Sequence, residues 1–370
     1  MRPFLLMAAL LTTPFAPAQE NVNAKLSEKA KEIAKRIIMF DSHVDLPFDY
    51  PGAALDGTTQ IDLPKVERGQ LKGAALAVFV PQGPRTAQAY AKARQDADAK
   101  YTLIKGIAEQ NPSRAALAYS PADVRRIAAQ GKFAVVTSLL NAYPLGSDLS
   151  QLDVWFQRGV RIFGFVHAGH NDWADSSRPS QTLGNAPEEH GGLSELGKQG
   201  VARLNQLGIL IDVSQLTTPA FRQVLSLTKA PVAATHSGVK GMVDTPRNLS
   251  DEELSLIEKN GGVVQVVAFS NYLRALPKDV PAASASRATV AQLVDSITYA
   301  VKKIGIEHVG IASDFNHGGG VIGWDNEGEC QNVIAELLRR GYSEKDIAKL
   351  WGGNFLRVWA AAQKAGTARR

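Results

Sequence analysis

The sequence reads as an α/β protein whose parallel strands close into a (β/α)8 barrel of the TIM type, and three observations carry that reading. Eight short apolar runs alternate with amphipathic helical patterns. Residues that bind metals or carry protons recur where those runs end. No Gly-x-Gly-x-x-Gly follows an early strand, which sets aside the main alternative, an open doubly wound sheet. With 370 residues, 45% hydrophobic and 21% charged, the chain has enough apolar material for one large core.

Taken in order, the chain opens with Met1-Arg2, an apolar run from Pro3 to Leu11, and Ala16-Pro17-Ala18. These are the charged, apolar and small-residue regions of a secretory leader. Residues 1–18 are therefore expected to be cleaved, leaving 19–370 as one barrel domain. The apolar run is too short to span a bilayer and no second one follows, so the mature chain is not expected to insert in a membrane. Its last residues are too polar for a glycolipid-anchor signal. Cys330 is the single cysteine, which rules out an internal disulfide, and export without disulfides fits a bacterial periplasm.

Strands are expected at 37–43, 73–80, 133–140, 160–167, 209–214, 231–236, 262–269 and 308–315, each a short run rich in Val, Ile, Ala or Phe. Helices are expected at 86–110, 121–129, 149–158, 194–207, 219–227, 251–259 and 290–303, where apolar residues recur at helical spacing. Ser120-Pro121-Ala122-Asp123 and Ser250-Asp251-Glu252-Glu253 each place a hydroxyl before the first turn and an acid three residues on, the signature of a capped start. A net charge of +5 with no basic run or interleaved aromatics gives no reason to expect nucleic acid.

The chemistry gathers at the strand ends. His43 and Asp45, two apart on the first strand, face the same side, and an imidazole with a carboxylate at that spacing suits zinc or a similar ion. His167, Gln215, His236 and Asp314 sit at or just past the ends of later strands, where such barrels build their active sites.

At these positions the chain resembles the membrane (renal) dipeptidase family, zinc-dependent peptidases among the metal-dependent amidohydrolase barrels. The matching segments run from about Ile37 to Trp359. They are Asp41-Ser42-His43-Val44-Asp45, Val166-His167 with Trp173-Ala174-Asp175, Leu210 to Ser214, Ala234-Thr235-His236-Ser237, Pro246 to Asp251, Gly261-Gly262-Val263, Ala312-Ser313-Asp314-Phe315 and Trp351 to Val358. The resemblance implies that His43, Asp45, His236 and Asp314 bind metal and that Asp314 also handles a proton. It implies that His167 binds substrate and helps the developing oxyanion, and that Arg247 holds the free carboxylate of a dipeptide. The chemistry is sound on general grounds. A bound ion brings the pKa of water near neutrality, an aspartate can relay its proton, and an arginine fork fits a carboxylate.

Two positions depart from the family. Leu140 stands where a metal-bridging glutamate belongs, and Gln215 stands where a histidine follows Asp-x-Ser. The expectation is therefore one zinc ion rather than two, held by His43, Asp45 and Asp314, with His236 completing the set or binding substrate. Asn141, Asp148 and His317 are the residues to examine for a replacement ligand, and His170 as a loop histidine. Trp173 and Tyr272 are expected to pack, and Cys330 to be a buried or inert thiol. The expected activity is hydrolysis of dipeptides or closely related small amides. The rivals are a non-catalytic relative that binds small peptides or cell-wall fragments, and an amidohydrolase acting on another amide or a lactone. A homodimer is compatible with the barrel class.

Overall fold

The computed structural model describes residues 16–275 and 287–367, with side chains from residue 24 onward. The apolar part of the expected leader, residues 1–15, lies outside the described residues. Residues 16–18 begin the first helix, α1 (Ala16–Arg36). Among the described residues, no helix is long and apolar enough to cross a membrane.

Among the described residues the sheet has nine parallel strands, eight of them from the apolar runs: β1 (Phe40–Val44), β2 (Gly73–Phe79), β3 (Ala115–Leu117), β4 (Phe133–Leu140), β5 (Val160–Gly164), β6 (Leu210–Asp212), β7 (Ala233–Ser237), β8 (Val263–Val267) and β9 (Val309–Ala312). All but β3 are buried along their whole length, which is why they read as continuous apolar runs instead of alternating ones. The order is β1-β2-β4-β5-β6-β7-β8-β9. Closure comes where β9 meets β1, through Asp45 N donating to Phe315 O (3.0 Å) and Asp314 N to His43 O (3.2 Å). The eight-stranded barrel is thus the expected one. β3 was not expected: it lies off the barrel path beside β4, pairing Ala115 to Phe133 and Leu117 to Val135. Three residues carry no readable period.

Helices fill the crossovers at α2 (Leu63–Gly69), α3 (Ala87–Glu109), α4 (Pro121–Ala129), α5 (Gln151–Gln157), α6 (Glu195–Leu207), α7 (Thr218–Leu227), α8 (Asp251–Asn260), α9 (Ser270–Leu273) and α10 (Val290–Ile304), and α11 (Cys330–Arg339), α12 (Glu344–Ala348) and α13 (Asn354–Ala365) follow β9. Both expected caps form. Ser120 accepts from Asp123 N, and Ser250 and Glu253 make a reciprocal capping box. The lower ends of the strands are closed by α13. Phe355 stacks on Phe40 with centroids 5.3 Å apart, and both join Val136, Ile162, Leu210, Val263 and Trp359 in one apolar cluster. With that end packed, the opposite mouth is left for polar groups.

Candidate metal centre

Around the open mouth, side chains from most of the strand ends and their connections line one cavity of about 190 Å³: His43, Leu140, His167, Arg178, Gln215, His236, Arg247, Phe269, Tyr272, Asp314 and His317. His43 comes from β1, Leu140 from β4 and His236 from β7, His167, Gln215, Phe269 and Asp314 lie just beyond their strands, and Arg178, Arg247, Tyr272 and His317 come from the connections that follow. Two of them adopt left-handed backbone without being glycine: Gln215 at φ +70° and Asp314 at φ +58°. Such conformations cost roughly 1 kcal/mol or more and persist where surrounding bonds hold them. At Asp314 those bonds are its N–H to His43 O and its carbonyl accepting from Gly319 N (2.9 Å).

His43, His236 and Asp314 form a buried cluster whose ligand atoms all lie within 4.8 Å of one another. His43 Nε2 is 3.4 Å from Asp45 Oδ2 and 3.7 Å from Asp314 Oδ1. His43 Nε2 and both Asp45 carboxylate oxygens are buried without a hydrogen-bond partner. Orphaned acceptors of this kind are costly unless something binds them. Burial raises the Asp314 pKa to about 7, against the lowering influence of His43. For His43, burial lowers the pKa, but the Asp45 carboxylate 3.4 Å away and the charges of Asp314 and Asp212 outweigh this, so the net shift is upward. His236 is held well below the ordinary histidine range, chiefly by burial and then by His43 and Arg247.

The donor set fits a single divalent ion: one imidazole and two carboxylates with free lone pairs, all buried, and a second imidazole beside them. A second ion has no comparable set. Leu140 reaches the cavity from the end of β4 and packs with Ala77 and Phe79 in a small apolar cluster. Gly164 on the adjacent strand leaves room for it, since a Cβ there would sit 2.9 Å from Leu140 Cδ1. Gln215 turns its amide nitrogen toward His236 Nε2 at 3.1 Å.

Around this centre stand the groups that can meet a substrate. Arg247 is 4% exposed, and its guanidinium donates to Ser237 Oγ (3.0 Å) and to His236 O while lying over the Tyr272 ring, 5.4 Å from its centroid. His167 packs against Phe79 (4.4 Å), and burial, Arg178 and His317 keep its pKa well below the usual value. His317 stands at the rim, edge-on to Phe79 at 4.8 Å.

All six expected residues meet in or beside this cavity, Asp45 through its contact with His43. Tyr272 corrects an expectation, because it lines the cavity under Arg247 instead of only packing. Trp173 is buried as expected, its Nε1 donating to Gly146 O at 2.7 Å. Cys330 is buried with a free thiol, as expected. His170 faces away, its ring accepting from Ser176 N and donating to Ala186 O, so it staples its own loop. Asn141 bonds Val80 O and Asn171, and Asp148 bonds Ser150 at an exposed turn, so neither replaces the missing glutamate. Arg178 was not foreseen. It stands in an irregular segment far past β5 where no periodicity or motif marks it, and only its neighbours show that it belongs to the site.

Comparison with known proteins gives the following. The family model described as Membrane dipeptidase (Peptidase family M19) matches residues 27–370. The crystal structure of the probable dipeptidase PvdM from Pseudomonas aeruginosa is similar, with a TM-score of 0.89 and 45% identity, covering 93% of this chain and 100% of that one. Dipeptidase aclJ of Aspergillus oryzae is 30% identical over 304 residues, 81% of this chain and 69% of that protein. Dipeptidase verJ of Clonostachys rogersoniana is 28% identical over 360 residues, 91% of this chain and 87% of that protein.

Proposed function

The chain belongs to the membrane dipeptidase family, peptidase family M19, and from that premise we propose that it hydrolyses dipeptides or closely related small amides with one divalent ion, zinc by its donor set, at the barrel mouth. What carries the single-ion reading is the set of buried, partnerless atoms on His43 and Asp45, with Asp314 alongside. An ion in that place would polarise the scissile carbonyl and bring a water's pKa near neutrality. Asp314, a buried carboxyl that exchanges its proton near pH 7 in the metal-free site, would take the proton of the attacking water and pass it to the leaving amine. His167, kept neutral by burial, would donate to the oxygen that gains charge. Arg247, preorganised by Ser237 and Tyr272, would clamp the free carboxylate. A cavity of about 190 Å³ would suit a dipeptide better than a longer chain.

A second reading has its own support. Leu140 and the Arg178–Gln215 pair occupy positions where a second ion's ligands are expected, which favours a relative that binds small peptides without turnover. The two readings separate when metal-free protein is titrated with zinc and given L-L and L-D dipeptides beside a His43→Ala control. Turnover that levels off near one equivalent and vanishes in the control supports the hydrolase. A folded chain with no zinc-dependent turnover across a broad panel supports the binding protein, or another amide or lactone as substrate. We also propose that the mature chain is residues 19–370 in a bacterial periplasm, from the leader-like pattern of residues 1–18. Fractionation and N-terminal sequencing of the exported protein test this.

A further inference from the structure

Arg178 reaches the cavity with one guanidinium nitrogen, Nη2, which donates to Gln215 Oε1 and lies 3.2 Å from His167 Nε2. A guanidinium has only N–H groups to offer, so the side of Gln215 that faces it must be the carbonyl oxygen. The amide nitrogen is thereby turned the other way, 3.1 Å from His236 Nε2. The opposite edge of the imidazole is settled too. Thr235 Oγ1 gives its proton to Asp212 Oδ2 at 2.6 Å, and so its lone pair receives His236 Nδ1 at 2.8 Å. Asp212 can only accept, and it is anchored by the N–H groups of Ser214 and Thr235. One polarity runs through the whole chain of bonds: Arg178 to Gln215, Gln215 to His236, His236 to Thr235, Thr235 to Asp212. It makes His236 the Nδ1–H tautomer with its Nε2 lone pair already in use.

We propose that Arg178 is a positioning residue that locks Gln215 against His236 and so withholds His236 from the metal, leaving His43, Asp45 and Asp314 as the ion's protein ligands. This rests on the single-ion reading and decides the fourth ligand it left open. An imidazole binds metal through a free lone pair. Gln215 can release that of His236 only by turning its NH2 toward the guanidinium, donor against donor, or by abandoning Arg178. Leu140 adds no negative charge that would draw a second cation into the same space, and the fixed guanidinium repels one.

The lock is tested by 15N NMR of the histidine side chains in the whole metal-free protein, followed by zinc titration. The expected spectrum shows His236 protonated at Nδ1 and unprotonated at Nε2, and one equivalent of zinc shifts His43 but not His236. In Arg178→Ala, His236 responds to zinc and affinity rises about tenfold, the scale on which partners of metal ligands act. Arg178→Lys, also a pure donor, behaves as the wild type. A His236 proton on Nε2, a zinc-induced His236 shift in the wild type, or an Arg178→Ala variant that is folded and unchanged overturns the proposal. Failure of zinc to bind at all refutes the metal reading instead, and the tautomer still decides the lock.

Discussion

The imidazole rings of His43 and His236 lie face to face, 3.8 Å between centroids and 9° from parallel, although one comes from β1 and the other from β7 across the barrel. Two stacked rings in a buried site cannot both be charged. Asp45 and Asp314 draw the proton to His43, and His236 stays neutral. In the proposed holo site that proton leaves, since an imidazole must be neutral to bind a metal.

Replacing His43 is therefore expected to do two things. His43→Ala removes the imidazole on which the ion depends, so zinc per chain, read by elemental mass spectrometry, falls to background together with turnover. In the metal-free protein the same change raises the pKa of His236, because the neighbouring positive charge is gone. An NMR titration that finds the His236 pKa unmoved would contradict the stacked-pair account.

Arg247 tests substrate binding. Its guanidinium is buried and held on Ser237, His236 and Tyr272, so it is preorganised for a planar carboxylate. Arg247→Ala is expected to raise KM about 100-fold, the scale for truncating one side of a buried charge pair, with a smaller change in kcat. Arg247→Lys recovers little of this, since an ammonium cannot form the paired bonds of the fork. A loss confined to kcat would place Arg247 elsewhere in the reaction.

The pH dependence of stability follows from Asp314. Its folded pKa, about 7, lies above the ordinary carboxyl value of 3.8, so between these limits the folded metal-free chain holds a proton that the unfolded chain has lost. Stability from this group is present below about pH 4 and is lost as the pH rises through 7. Melting temperatures of metal-free wild type minus those of Asp314→Asn should therefore fall across that window. Zinc affinity should move the other way and strengthen with pH, because Asp314 must lose its proton to bind.

Leu140 offers a gain-of-site experiment. Leu140→Glu places a carboxylate in the apolar cluster of Ala77 and Phe79, and the metal-free variant is expected to lose about 2–4 kcal/mol by chemical denaturation. Restoring histidine as well, in Leu140→Glu with Gln215→His, supplies the two donors the second position lacks. Added zinc should then bind beyond one equivalent and recover the lost stability. A stoichiometry that stays at one would mean that Arg178 alone is enough to keep the second ion out.

At the closed end of the barrel, where Gln363 of α13 donates to Tyr119 O, Ser120→Ala removes the N-cap of α4. It is expected to cost about 1 kcal/mol in stability and leave kcat and KM unchanged, which separates structural from functional effects in the series above.

The elements that were legible are those whose signal is local. β4 runs over the residues expected, and the Ser120 and Ser250 starts are where hydroxyl and acid place them. Strand ends were less legible. The expected strand at 160–167 stops at Gly164, which leaves His167 in a loop, and β1 begins three residues later than expected. An apolar run continues past the last ladder bond, so hydrophobicity alone does not mark where pairing ceases. Tyr272 looked like a packing residue because nothing in its neighbourhood in the chain shows that a guanidinium lies above its ring.

The sequence by itself determined the barrel, through eight buried runs, and the family, through short motifs kept in order. It also singled out His43, Asp45, His167, His236, Arg247 and Asp314, which gather in or beside one cavity, and it marked Leu140 and Gln215 as departures from the family pattern. Only the tertiary structure decided what fills that gap. Arg178 comes from an irregular loop, and its guanidinium fixes the Gln215 amide, which takes up the His236 lone pair. Apolar periodicity and strand-end position are written along the chain. The direction of the hydrogen bonds among three side chains from a strand and two separate connections exists only once the barrel brings them together.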